Sequence, residues 1–196
     1  MNDVRLFVAI PAPLEMQQDL VAAGLRLKQR LTEAHSTTKG PHTQAASAAK
    51  KGRLRVRLIP PENMHLTLYF LGDTAAGEIP AVEQQLAAVA KVLAPPRFRA
   101  AAGGVFPARG TPRVAWCGVD DPDNSLRSAA NAVAGALGRR LERLRPHFTL
   151  GYLKGPDVSG IGRPAVAAAC LELLQAQSQT ATHEQEPRYH VAHEMV

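Results

Sequence analysis

Apolar and polar positions along this chain recur with two periods, and these mark out its elements. Arg5–Ile10 (RLFVAI) is a short β-prone run closed by Pro11, which reads as a first strand. Pro13 stands where a helix can start without losing a hydrogen bond. Leu14, Leu20, Val21, Leu27 and Leu31 then recur at helical spacing, with Gln17, Gln18, Lys28 and Arg30 between them. Ile79, Val82, Leu86, Val89 and Leu93 predict a second amphipathic helix, ended by Pro95-Pro96. Leu126, Ala130, Val133, Leu137, Leu141 and Leu144 predict a third, with Asp123 as its cap. Strands are expected at His65–Leu71 (up to a break at Gly72-Asp73), Phe98–Val105, Arg113–Val119, His147–Leu153, Val166–Gln175 and Arg188–Val191. Strands outnumber helices and both occur in each half, which is an α+β pattern with two similar halves.

Ser36–Gly52 has no periodicity and no large apolar residue. Such a stretch cannot bury enough surface to offset its ordering entropy, so a mobile insertion is expected at 36–52 within a single domain spanning 1–196. Arg53, Arg55 and Arg57 then alternate with Leu54, Val56 and Leu58, a strand with one basic face. Two readings stay open for that face: an edge strand protected by charge, or a contact for RNA phosphates. The net charge of +6 suits a polyanionic partner without requiring one. No apolar run approaches the ~18 residues of a membrane span, and the N-terminus lacks the pattern of a secretory leader, so a cytoplasmic protein is expected. Cys117 and Cys170, each in an apolar stretch, read as buried reduced thiols and supply no tetrahedral zinc set.

The chemistry lies in a repeat. Residues 65–71 are HLTLYFL and residues 147–153 are HFTLGYL, so His–apolar–Thr–Leu–x–aromatic–Leu occurs twice, 82 residues apart. A bare His-x-Thr is cheap, with roughly 0.4 chance occurrences in a chain of this composition, and the copy at His35–Thr37 is treated as noise. The full pattern is expected by chance on the order of 10⁻⁴. On a strand, His65 and Thr67 share one face while Leu66, Leu68 and Phe70 turn to a core; likewise His147 and Thr149 oppose Phe148, Leu150 and Tyr152. If the halves pack about a pseudo-twofold axis, two imidazoles and two hydroxyls converge on one cleft. That set suits a phosphodiester. Opening a 2',3'-cyclic phosphate needs a base for water and an acid for the leaving oxygen, one on each side of phosphorus. Histidines can fill both roles near neutral pH, and threonine hydroxyls can hold the non-bridging oxygens. The pair is nearly symmetric, so the residues alone leave open which histidine is the acid.

With these motifs the chain resembles the 2H phosphoesterases, and within them the bacterial RNA 2',3'-cyclic phosphodiesterases, also called 2'-5' RNA ligases. The likeness rests on RLFVAI at 5–10, VRLIPPENMHLTLYFLG at 56–72, RVAW at 113–116, RPHFTL at 145–150 and RY at 188–189. It implies a two-lobed, pseudo-twofold α+β fold. Each lobe would be an antiparallel sheet with helices outside and one HxTx strand facing a central cleft. By position, His65 resembles the general acid, His147 the general base, and Thr67 and Thr149 the phosphate-binding hydroxyls. The implied reaction is hydrolysis of an RNA terminal 2',3'-cyclic phosphate to a 2'-phosphate, without metal or cofactor, by a monomer, with reversible 2'-5' ligation in some members. RNA with such an end, or a cyclic nucleotide, would be the partner. Family members often have arginine where Tyr152 stands; strand parity puts that position off the histidine face, so little loss of chemistry is expected. The 36–52 insertion is not part of the family pattern.

Other candidates carry two readings each. Tyr69 shares the parity of His65 and can line the cleft; Trp116 can stack on a base or pack in the core. Phe7 can reach the cleft, though parity alone does not say which face it takes. His190 and His193 differ by three and face opposite ways on a strand, so with His183, Glu184 and Glu194 they make a poor metal site. The rival functions are a phosphodiesterase acting on another 2'-5' or cyclic ADP-ribose-type diester, and a non-catalytic RNA-binding module.

Overall fold

The computed structural model describes residues 3–37, 55–155, 164–170 and 190–193. In chain order these form β1 (Asp3–Pro11), α1 (Leu14–Thr37), β2 (Arg55–Leu58), β3 (His65–Ala75), α2 (Ile79–Ala90), β4 (Arg99–Phe106), β5 (Val114–Asp120), α3 (Ser125–Ala136), β6 (His147–Lys154), a helix over 164–170 (α4) and β7 (His190–His193). The strands make one antiparallel sheet in the order β4-β5-β6-β3-β1-β7, with β2 laid along the C-terminal half of β6. Outward from its centre the order is the same in both halves: an HxT strand, its partner, then an edge. The halves meet at a single residue pair, Leu66 with Phe148, both wholly buried. The expected two-lobed α+β architecture is present.

Helices cross between the halves. α1 packs on β2 and β6, while α3 packs on α2 and β3. Leu20, Leu27 and Leu31 of α1, Leu126 and Val133 of α3, and Leu66 and Phe148 belong to one continuous buried cluster. No helix among the described residues is long and apolar enough to cross a membrane.

Several sequence expectations are corrected. The segment expected as a strand over Val166–Gln175 is helical where it is described. Ala165, Val166, Ala169 and Cys170 are buried, a spacing of one, three and one that a helix face satisfies and a strand does not. The third helix stops at Ala136, and Gly138 takes a left-handed φ of 65° just beyond it. Leu141 and Leu144 still pack against the core, but from a non-helical stretch. The cap also differs. Asn124 holds the cap position with φ 58°, and Asp123 accepts from Ser125 N at 3.0 Å. Asp121 does more, accepting from Leu126 N at 3.0 Å and Arg127 N at 2.9 Å. β3 runs on through Gly72 and Asp73, where the sequence predicts a break. α1 takes in Ser36 and Thr37; the rest of the 36–52 insertion lies outside the described residues, as do Arg53, Arg188 and Tyr189.

The largest correction concerns parity. Val8 pairs with Tyr69 but Ala9 with Thr67, so Leu68 is an extra residue in β3. Ala115 pairs with Gly151 but Trp116 with Thr149, so Leu150 is an extra residue in β6. Each bulge falls three residues after the histidine of its motif, and a bulge reverses the facing of all that follows. Phe70 and Tyr152, expected in the core, are therefore 63% and 42% exposed. A further bulge at Leu71 precedes Gly72, whose φ of 78° suits glycine.

Replacing Asp121 by Ala removes the acceptor for two orphan N–H groups of α3. A loss of ~1 kcal/mol is expected, which thermal unfolding would register as a Tm lower by ~2–4 °C for a chain of this size.

Candidate active site

The site grows from the seam between β3 and β6. In an antiparallel pair centred on Leu66 and Phe148, His65 lies on the Thr149 side and Thr67 on the His147 side. Leu66 and Phe148 point into the core, so these four residues share the opposite face, each half-buried. The structure thus brings together all four residues that the repeat singles out.

Both imidazoles are anchored in the same way. His65 Nδ1 lies 2.8 Å from Asn63 O, and His147 Nδ1 lies 2.7 Å from Arg145 O, each carbonyl two residues before its ring. A carbonyl only accepts, so Nδ1 carries the proton and Nε2 is left for chemistry. A neutral ring then offers a lone pair at Nε2, and a protonated one offers N–H at the same place. Local structure sets this up: a 3₁₀ turn over Pro61–Asn63 leads into β3, and Pro146 precedes His147.

The rings differ in their cover. Phe7 stacks on His65 with centroids 4.8 Å apart and planes 28° apart, which settles the face that Phe7 takes. His147 meets two edges instead: Phe106 at 5.1 Å and Trp116 at 6.0 Å, which stack on each other. Trp116 is accordingly neither a free platform nor plain core, but part of the wall around His147. Its indole needs the room left by Gly104, where any Cβ would collide with it. Burial holds the His147 pKa below its ordinary value; the nearby His65 lowers it further, against the opposing pull of the Arg145 carbonyl. Tyr69 packs partly against the core and, together with Phe70, lines the cavity beside the site.

A cavity of about 380 Å³ opens beside these groups, lined by Thr67, Phe70, Phe106, Arg140, Arg143, Arg145 and His147 among others. Sequence reasoning misses the arginines because the run RRLERLR reads as the end of a helix; counting its cations would find them. Arg139 fastens the run to the sheet by donating to Leu71 O at 2.8 Å. Further along β6, where β2 pairs with it, the Arg57 guanidinium sits 5.0 Å from the Tyr152 ring. Past the bulge at Leu150, Tyr152 lies on the same face as His147 and Thr149, contrary to the expectation from simple alternation. Cys117 and Cys170 are buried and unbridged. A hydrogen bond with Cys170 and burial push the Cys117 thiol up, so it stays protonated. Among the described residues no group of three His, Cys, Asp or Glu side chains is placed to hold a metal, and His183, Glu184 and Glu194 lie outside them.

Residues 22–116 match the family described as LigT like Phosphoesterase. A protein of Aquifex aeolicus named RNA 2',3'-cyclic phosphodiesterase is 31% identical over 129 residues, covering 62% of this chain and 69% of the relative. Proteins of the same name from Methanothermobacter thermautotrophicus and Archaeoglobus fulgidus are 33% and 34% identical, each over 55% of this chain. The chain covers 60% and 63% of those two relatives' own lengths. Among solved structures, TT0787 of Thermus thermophilus superposes with a TM-score of 0.55 at 26% identity, covering 78% of this chain and 76% of that one. The chain belongs to the LigT-like phosphoesterases, a 2H phosphoesterase family. The family match holds His65 and Thr67 and stops short of His147 and Thr149, which the repeat and the sheet bring to them.

Nitrogen-15 NMR of the two imidazoles should show both neutral rings as Nδ1–H tautomers, with His147 titrating below 6.5. Since the unfolded chain then binds this proton more readily than the fold does, stability should fall as pH drops through and below that value. An Nε2–H tautomer in either ring would break the anchoring described above.

Proposed function

We propose that this protein hydrolyses 2',3'-cyclic phosphates at RNA ends to 2'-phosphates. The observation that carries the reading is the pair of imidazoles on the seam, each with Nδ1 tied to a carbonyl and Nε2 without a partner among the described residues, and each beside a threonine of the other strand. The names of the relatives supply the substrate class.

In this reading His147 is the base. Burial keeps it neutral, so its Nε2 lone pair takes a proton from water as the water oxygen bonds to phosphorus. The bond from phosphorus to the 3' oxygen breaks, and protonated His65 gives its Nε2 proton to that oxygen, leaving a 3'-hydroxyl and a 2'-phosphate. Thr67 and Thr149 donate hydrogen bonds to the non-bridging oxygens, which gain charge in the transition state. A 5'-hydroxyl in place of water would form a 2'-5' linkage with the same groups.

Three outcomes test this. Incubated in EDTA with an RNA oligonucleotide ending in a 2',3'-cyclic phosphate, the protein should yield a 2'-phosphate by phosphorus NMR; an untouched substrate would sink the reading. His65→Ala and His147→Ala should each lower kcat at least ~100-fold, and near-normal turnover in either would remove that histidine from the mechanism. The acid limb of the kcat/KM profile should lie below 6.5, where His147 becomes protonated. A profile flat from pH 5 to 8 would count against two-histidine catalysis.

A further inference from the structure

We infer that the cavity beside His147 binds the RNA strand on the 5' side of the reacting end, with Arg140 and Arg143 on its phosphodiesters and Phe70 and Phe106 against its bases. This rests on the proposed reaction for the direction of the strand: a 2',3'-cyclic phosphate closes the 3' end, so the remaining RNA lies 5' of it.

The cavity opens onto the reacting groups, because Thr67 and His147 are in its wall. Its volume of about 380 Å³ exceeds what one phosphate fills. Arg140, Arg143 and Arg145 are exposed and have no ion-pair partner among the described residues, with Glu142 the acidic residue among them. Unpaired cations gathered on one cavity form an anion site, and a polyanionic strand meets several of them at once.

The placement is built rather than incidental. Leu141 and Leu144 are held against the core, and Arg139 is tied to Leu71 O, at the residue that the bulge adds to β3. The backbone of the segment is thereby fixed, and the intervening Arg140 and Arg143 are left outward at the cavity. Phe70 adds a second chemistry. A phenyl ring 63% exposed beside a cationic cavity offers a face on which a base can stack, which requires no particular base.

The test measures binding, so that it stands apart from turnover. A short fluorescent single-stranded RNA ending in a 2'-phosphate is titrated by anisotropy at several salt concentrations, against wild type, the double variants Arg140→Gln/Arg143→Gln and Arg55→Gln/Arg57→Gln, and Phe70→Ala. The slope of log affinity against log salt should shrink by ~1.4 in the Arg140/Arg143 double variant, about 0.7 for each phosphate of a single strand that is no longer neutralised. Phe70→Ala should weaken binding with the slope retained. In a parallel assay wild type should prefer an oligonucleotide 2',3'-cyclic phosphate over a nucleoside 2',3'-cyclic monophosphate by KM, and the Arg140/Arg143 double variant should lose that preference. An unchanged slope in that variant overturns the inference, as does a slope that falls only in Arg55→Gln/Arg57→Gln, which would put the strand along β2. A protein that binds RNA through Arg140 and Arg143 but turns over neither substrate would sink the proposed reaction and with it the strand direction, while keeping the cavity as the place where RNA binds.

Discussion

The structure depends on one contact, the pairing of Leu66 with Phe148. Each is the middle residue of a His-x-Thr triplet, and both are wholly buried. Because the two halves of the sheet join there, the histidines and threonines on either side need no loop to hold them. The same apolar pair that closes the core sets the spacing of the polar groups on the other face. Truncating a buried aromatic such as Phe148 costs about 3–5 kcal/mol. Here the damage would also reach the site, since the seam and the site are two faces of the same residues.

The bulges refine that arrangement. Without Leu68 and Leu150 as extra residues, strict alternation would send Phe70 and Tyr152 into the core. With them, an aromatic ring from each half turns outward beyond the threonine. The Tyr152 position therefore belongs to the histidine face, and a change of residue type there alters the cleft. In this chain Tyr152 lies under the guanidinium of Arg57, the residue it pairs with on β2.

Much of this is legible in the sequence, and the failures have physical causes. The repeat places His65, Thr67, His147 and Thr149 because period-two alternation holds over the three residues between motif start and bulge. Beyond the bulge it fails, since a single inserted residue leaves no mark in an apolar string such as TLYFL. α4 reads as a strand because a short run of Ala, Val and Cys suits either element until its partners are known. The end of α3 is misplaced because Leu141 and Leu144 keep helical spacing while Gly138 has already turned the chain. That error hides the arginines, which a helix would scatter around its circumference.

The matched anchoring of the two imidazoles has a consequence for how such a site changes over time. Two half-sites that hold their rings by the same carbonyl contact have no intrinsic polarity, so in the proposed reaction either ring can serve as proton donor or acceptor. What distinguishes them is the material laid over each ring, one stacked phenyl on His65 and two aromatic edges on His147. In the proposed reaction, direction is thus a property of the cover rather than of the histidine pair. On the proposed reaction, substitutions at Phe7, Phe106 or Trp116 would rebias the site between donating and accepting while both histidines and the sheet beneath them stay as they are.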